Sequence, residues 1–174
     1  ATSEYNTRRE ECEQALAVIK KDHPGYKFLA DVPEHIIESY SEKLSCKVYQ
    51  RALFVSRENA RTLKAAELIQ KGDIEAFGAL MYQTHEGLSK NYEVSCPELD
   101  FLVDLSKDIP QVVGSRMMGG GFGGCTINLV KETFVNEFID STTKAYKEKF
   151  NIKLTAILVA TSNGVEIIRP TNGF

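Results

Sequence analysis

No stretch of this 174-residue chain approaches the roughly 18 consecutive apolar residues of a membrane-spanning helix, so a helical membrane protein is not expected. There is no basic block either. Lys and Arg number 21 against 24 Asp and Glu, for a net charge of −3, which offers nucleic acid or an anionic membrane no electrostatic handle. Neither is expected as a partner. The four cysteines, Cys12, Cys46, Cys96 and Cys125, are widely spaced without a Cys-x-x-Cys pair. That spacing does not suit zinc and reads as reduced, mostly buried thiols of a cytosolic protein, with no metal site in this chain. The N-terminus is polar and lacks the apolar core of a signal peptide, which again points to the cytoplasm. Also missing are a Gly-x-x-x-x-Gly-Lys-Ser/Thr phosphate loop, internal repeats and low-complexity segments.

What is there is an ordinary globular composition, 43% hydrophobic and 26% charged, in a length that buries enough surface to fold as one domain. Against that background one stretch stands apart, Ser115 to Val130. Five of the 12 glycines fall between Gly119 and Gly124, after an apolar segment and before the alternating run Cys125 to Val130. Glycine costs conformational entropy, so five in six positions require positive φ, close approach of the backbone to something, or both. The pattern predicts two antiparallel strands joined by a glycine turn whose amides face a ligand or another chain segment; a plain hairpin turn is the alternative. Gly119, Gly121 and Gly124 match the Gly-x-Gly-x-x-Gly spacing of dinucleotide-binding loops. That fingerprint needs a helix directly after the loop, and here a strand follows.

The rest of the chain alternates helix signals with short connections. Ser3 and Asn6 are candidate N-caps for a helix carrying Arg9, Cys12, Ala15, Leu16 and Ile19 to about Lys21. A short helix follows Pro33, and a long one is predicted from Cys46 to about Lys71, with Arg51, Arg57, Glu58, Arg61, Lys64 and Glu67 on a solvated outer face. Gly72-Asp73 ends it and caps the next, which carries Ile74, Phe77, Leu80, Met81, His85 and Leu88. A lone histidine on an apolar face is read as a packed residue. Ser95-Cys-Pro97 starts a further helix, with Asp100 and Asp104 on its polar side. Lys131 to Phe150 is helical, and Leu154 to Ala160 and Val165 to Ile168 read as strands around the turn Ser162-Asn-Gly164. The expected fold is α+β, a four-stranded, mainly antiparallel sheet covered by helices.

Three stretches carry a resemblance. Arg116-Met-Met-Gly-Gly-Gly-Phe-Gly-Gly-Cys125-Thr resembles the third, C-terminal signature of the GHMP small-molecule kinases. Ser3-Glu-Tyr-Asn-Thr-Arg-Arg9, with Cys12 behind it, and Tyr92-Glu-Val-Ser-Cys-Pro-Glu-Leu-Asp100 are similar to segments of the galactokinase branch. The three occur in the family's order and span most of the chain.

The resemblance implies that residues 1–174 are a GHMP kinase C-terminal domain, with the nucleotide-binding N-terminal domain outside this chain. In the family, ATP with magnesium phosphorylates the anomeric hydroxyl of α-D-galactose to galactose 1-phosphate in the cleft between the domains. The catalytic aspartate, its neighbouring arginine, the magnesium ligands and the phosphate loop belong to the N-terminal domain, so no catalytic or metal residue is expected here. On its own this chain is expected to be inactive. Two assignments carry over: Tyr5 as the phenol that hydrogen-bonds the sugar, and Gly119, Gly120, Gly121, Gly123 and Gly124 as a loop lining the cleft. The expected partners are galactose, ATP and the N-terminal domain of the same protein. The rival readings are an N-acetylgalactosamine kinase, in which phenylalanine stands at the place of Tyr5, and a catalytically silent galactose sensor.

Overall fold

Helix boundaries in the computed structural model, which describes residues 2–161 and residue 164, follow the chain's own capping chemistry. Helix α3 (Cys46–Lys71) begins where Ser45 Oγ accepts the Val48 amide, and ends at Gly72, left-handed at φ 71°. One residue on, Asp73 caps α4 (Ile74–Glu86) through the Ala76 amide. Helix α5 (Pro97–Lys107) carries its proline at the first turn, where an amide would be orphaned anyway. Helix α1 (Thr2–Ile19) departs from expectation: it starts ahead of both Ser3 and Asn6, which lie inside it. Helices α2 (Glu34–Glu38) and α6 (Val135–Phe150) are the other α-helices among the described residues.

Helices α1, α2 and α3 enclose the larger core, with Ala15, Ile19, Val32, Ile37, Tyr40, Val48 and Ala52 at its centre. Strands β1 (Val112–Met118) and β2 (Cys125–Val130) pair antiparallel, Met118 opposite Cys125 and Ser115 opposite Asn128. The buried Ser115 hydroxyl donates to Asn128 Oδ1 across the ladder at 2.6 Å. Strand β1 packs on α4 and α5, and α5 in turn on α6. The contact of α4 with β1 is glycine on glycine. A Cβ on Gly78 would lie 2.1 Å from the Val113 carbonyl oxygen, and one on Gly114 would lie 2.7 Å from Gly78 Cα.

The four-stranded sheet is not observed: among the described residues the sheet has two strands. Leu154 to Ala160 forms no ladder, and its Ile157, Leu158 and Val159 are 79, 79 and 70% exposed. An apolar run becomes a strand only when a neighbouring edge satisfies its amides and carbonyls; composition by itself does not select that state. The Val165 to Ile168 run, and all of the predicted turn except Gly164, lie outside the described residues.

Two further expectations are corrected. Cys46 and Cys125 are exposed and Cys12 and Cys96 half-buried, so the thiols, all free, are not mostly buried. Arg51, assigned to the solvated face of α3, is fully buried, whereas Arg57 and Lys64 are exposed and paired on the surface with Glu34 and Glu67.

Candidate functional site

The turn between β1 and β2 owes its shape to its glycines. Gly119, Gly121, Gly123 and Gly124 have φ of 94, 87, 128 and 106°, a region in which a Cβ is strained; Gly120 does not. Phe122 joins them at φ 60° and donates its amide to the Val94 carbonyl at 2.7 Å. Gly121 also meets the second condition, close approach, since a Cβ there would lie 2.3 Å from the same carbonyl oxygen. The loop therefore rests on another chain segment, the one leading into α5.

Beside this contact lies a cavity of about 390 Å³. Helix α1 contributes Tyr5, Arg8, Arg9 and Cys12; the segment after α4 contributes Leu88, Tyr92 and Val94; the loop contributes Gly119, Gly120 and Phe122. Tyr5 and Cys12 share a helix face because they are seven residues apart. Tyr5, one of these lining residues, is 61% exposed. Of the predicted site residues, Tyr5, Gly119 and Gly120 thus share one cavity, Gly121 packs on Val94, and Gly121, Gly123 and Gly124 are not among its lining residues.

The cavity's back wall is held shut. Tyr92 stacks on Phe54 with ring centroids 4.9 Å apart, and its hydroxyl lies 3.5 Å from Cys12 Sγ. Burial pushes both the phenol and the thiol above their ordinary pKa, so each stays protonated and neither is a ready nucleophile. Among the described residues no carboxylate lines the cavity, and no three His, Cys, Asp or Glu side chains converge as a metal site. These residues do not fit a magnesium ion. A larger hollow, about 650 Å³, lies between α6 and residues 153–156 and shares no lining residue with this one.

Two arginines that periodicity did not single out as structural hold this wall, Arg8 from the cavity lining and Arg51 from the buried interior. After α4 the chain winds through one π turn, Gly87–Asn91, and then enters Glu93 at φ 51°. Arg8, 8% exposed, donates from Nε to the Tyr92 carbonyl at 2.6 Å and from a terminal nitrogen to the Glu93 carbonyl at 3.0 Å. Arg51 donates to Glu11 at 3.0 Å, to the Asn91 carbonyl and to the Glu93 carboxylate. A guanidinium fork suits this work because its donors diverge in one plane toward several acceptors. Its hydrogen bond from Arg51 holds Glu93 below the ordinary carboxylate range. Spacing could have found Arg51: three residues after Val48 and four before Val55, it lies on the apolar face of α3.

His85 closes the other side of the loop's support. Its Nδ1 accepts the Met117 amide at 3.1 Å, and its Nε2 lies 3.1 Å from Asp100 Oδ1. It is a packed residue, as expected, and Asp100 faces it and Ser89 instead of solvent alone. Because Nδ1 must accept, the histidine is neutral with its proton on Nε2. Burial, opposed by Asp100, lowers its pKa below 6.5, with Lys107 lowering and Asp104 raising it further off. A base whose folded pKa lies below its unfolded value stabilises fully above the unfolded pKa and less as pH falls through the folded one. Stability should therefore fall below about pH 6.5 with an added slope of at most about 1.4 kcal/mol per pH unit. His85→Gln, which keeps an acceptor without a titrating proton, should remove that slope in urea melts at pH 5 to 8. An unchanged acid slope would assign it to carboxylates.

Comparison with known proteins bears on the same residues. Residues 65–148 match the family model described as the C-terminal domain of GHMP kinases. A galactokinase of Clostridium acetobutylicum is 40% identical over 169 residues, 97% of this chain and 43% of that protein. One from Roseiflexus sp. (strain RS-1) is 37% identical over 165 residues, 95% of this chain and 42% of that protein. The crystal structure of Lactococcus lactis galactokinase complexed with galactose superposes with a TM-score of 0.81 at 30% identity, covering 87% of this chain and 39% of that one. This chain thus spans less than half the length of the relatives it matches.

Proposed function

We propose that this chain, whose residues 65–148 match the GHMP kinase C-terminal family model, is the C-terminal part of an ATP-dependent galactokinase. The parent protein would phosphorylate the anomeric hydroxyl of α-D-galactose to galactose 1-phosphate, in the cytoplasm, with magnesium. The observation that carries this reading is that Tyr5 and the glycine loop, through Gly119, Gly120 and Phe122 far along the chain, line one cavity. Similarity to galactokinases along 95 to 97% of the chain supports it.

In this reading the cavity is the sugar side of the cleft. Tyr5 offers one hydroxyl that both donates and accepts, on a rigid ring, which suits a sugar hydroxyl. The glycine loop closes the floor with bare backbone, and its amides back the phosphate-binding segment of the N-terminal domain. Neither residue set moves a proton in the transfer. Catalysis, magnesium and the nucleotide's main contacts fall to the N-terminal domain, and for that reason the 174-residue chain alone is assigned no turnover.

Tyr5→Phe in the whole protein tests the assignment. Losing one neutral hydrogen bond costs about 0.5–1.5 kcal/mol, an apparent affinity loss of roughly 2- to 12-fold. Galactose KM should rise by that factor, with ATP KM and melting temperature unchanged because the ring stays. Equal weakening of both substrates, or unchanged galactose kinetics, would remove Tyr5 from the site.

A further inference from the structure

The most buried cation in the described structure does no work in the cavity it stands behind. Arg51 has no exposed surface, yet its three acceptors belong to two different parts of the fold. Glu11 lies on α1, one helical turn beyond the cavity-lining Arg8, while Asn91 and Glu93 lie in the segment that ends at Val94. Val94 accepts the Phe122 amide at 2.7 Å and stands 2.3 Å from where a Gly121 Cβ would be. A continuous set of contacts therefore runs from Arg51 through residues 91–94 to the glycine loop. The segment needs such a hold. Glu93 is a non-glycine residue at φ 51°, and a single π turn precedes it, so local preferences alone would not keep it there.

We propose that Arg51 is a positioning residue for sugar binding: it locks residues 91–94 against α1 and so sets the place of the glycine loop relative to Tyr5, without touching the sugar. This rests on the reading of the cavity as the sugar side of a galactokinase cleft. The chemistry requires arginine. A lysine would keep the charge beside Glu11, but one ammonium on a flexible stem does not span a carboxylate on α1, a carbonyl at 91 and a carboxylate at 93 together.

The test is Arg51→Lys in the whole protein, read by hydrogen exchange at the Phe122 amide and by the two substrate KM values. Exchange at Phe122 should quicken about tenfold, as for the loss of one hydrogen bond's worth of restraint. Galactose KM should rise by between about 2- and 12-fold, as the bond at Tyr5 is misaligned, and ATP KM should hold. A residue that serves stability alone would lower the melting point and move neither Phe122 exchange nor the ratio of the two KM values. Should Arg51→Lys fail to fold, Glu93→Ala removes only the loop-side carboxylate, which is 44% exposed, and leaves Arg51 with Glu11. It should shift both readouts in the same direction. Unchanged exchange at Phe122 overturns the positioning role. Quickened exchange with unchanged galactose KM also overturns the proposal, and a Tyr5→Phe protein still weakened for galactose would show that the reading of the cavity survives it.

Discussion

Gly121→Val should reduce turnover of the whole protein by about 10²-fold, the size of effect seen when a positioning element moves by about 1 Å. Two costs combine at that position. At φ 87° any Cβ is strained, by about 1–3 kcal/mol, and a β-branched side chain is strained most. The Cβ would also lie 2.3 Å from the Val94 carbonyl oxygen, a backbone atom that follows directly on residues 91–93, whose carbonyls Arg51 and Arg8 hold. Nothing there is a flexible side-chain end that could swing aside, so the loop itself must move. The other glycines supply internal controls. Gly123→Val meets the backbone strain, at φ 128°, with no atom within 4 Å of its Cβ, and should do less damage. Gly120→Ala meets neither backbone cost, so any loss there would come from its methyl at the cavity lining and should be the mildest of the three. Steady-state kinetics on the three variants should rank them Gly121, Gly123, Gly120 in severity. Full activity in Gly121→Val would reduce the loop to a plain connection.

Gly78→Ala should be the most destabilising single methyl in the chain. In an isolated helix the change would gain about 0.8–1.0 kcal/mol. Here the new Cβ would lie 2.1 Å from the Val113 carbonyl oxygen and 2.6 Å from its carbon, inside van der Waals contact with strand β1. Helix α4 would have to lift off β1, opening the packing around Met81 and breaking the reach of His85 Nδ1 to the Met117 amide. Overpacking against backbone makes the net loss about 3 kcal/mol or more, from a total of about 5–15 kcal/mol for a domain of this kind. Urea unfolding should show a lower midpoint at unchanged slope. A gain in stability would mean that helix propensity outweighs the contact and that α4 rides higher over β1 in solution.

The two glycine positions separate what is legible in the amino-acid order from what is not. Positions dominated by local forces are legible. The turn Gly72-Asp73 ends one helix and caps the next because a left-handed residue and an Asx acceptor act over four residues. The hairpin across Gly119 to Gly124 is legible for the same reason, as is the packed state of His85, whose apolar neighbours recur at helical spacing. The three motifs carry the functional reading, since they depend on residue identity and order alone.

Tertiary structure decided the rest. Arg51 looks like a surface charge by residue type, and only the approach of Glu11 and residues 91–93 makes a buried arginine tolerable. Gly78 inside a helix and Gly114 inside a strand look like weaknesses until the helix and strand meet through them. Leu154 to Ala160 has the composition of a strand, but a strand is a pair property and no partner edge meets it among the described residues. Tyr5 and Gly119 are separated by most of the chain, and the cavity they share exists because α1 packs on α3 while Val94 anchors the loop. What the amino-acid order determined here acts within about one helical turn; what it left open acts between segments distant in sequence, where burial and long-range hydrogen bonds outweigh local preference.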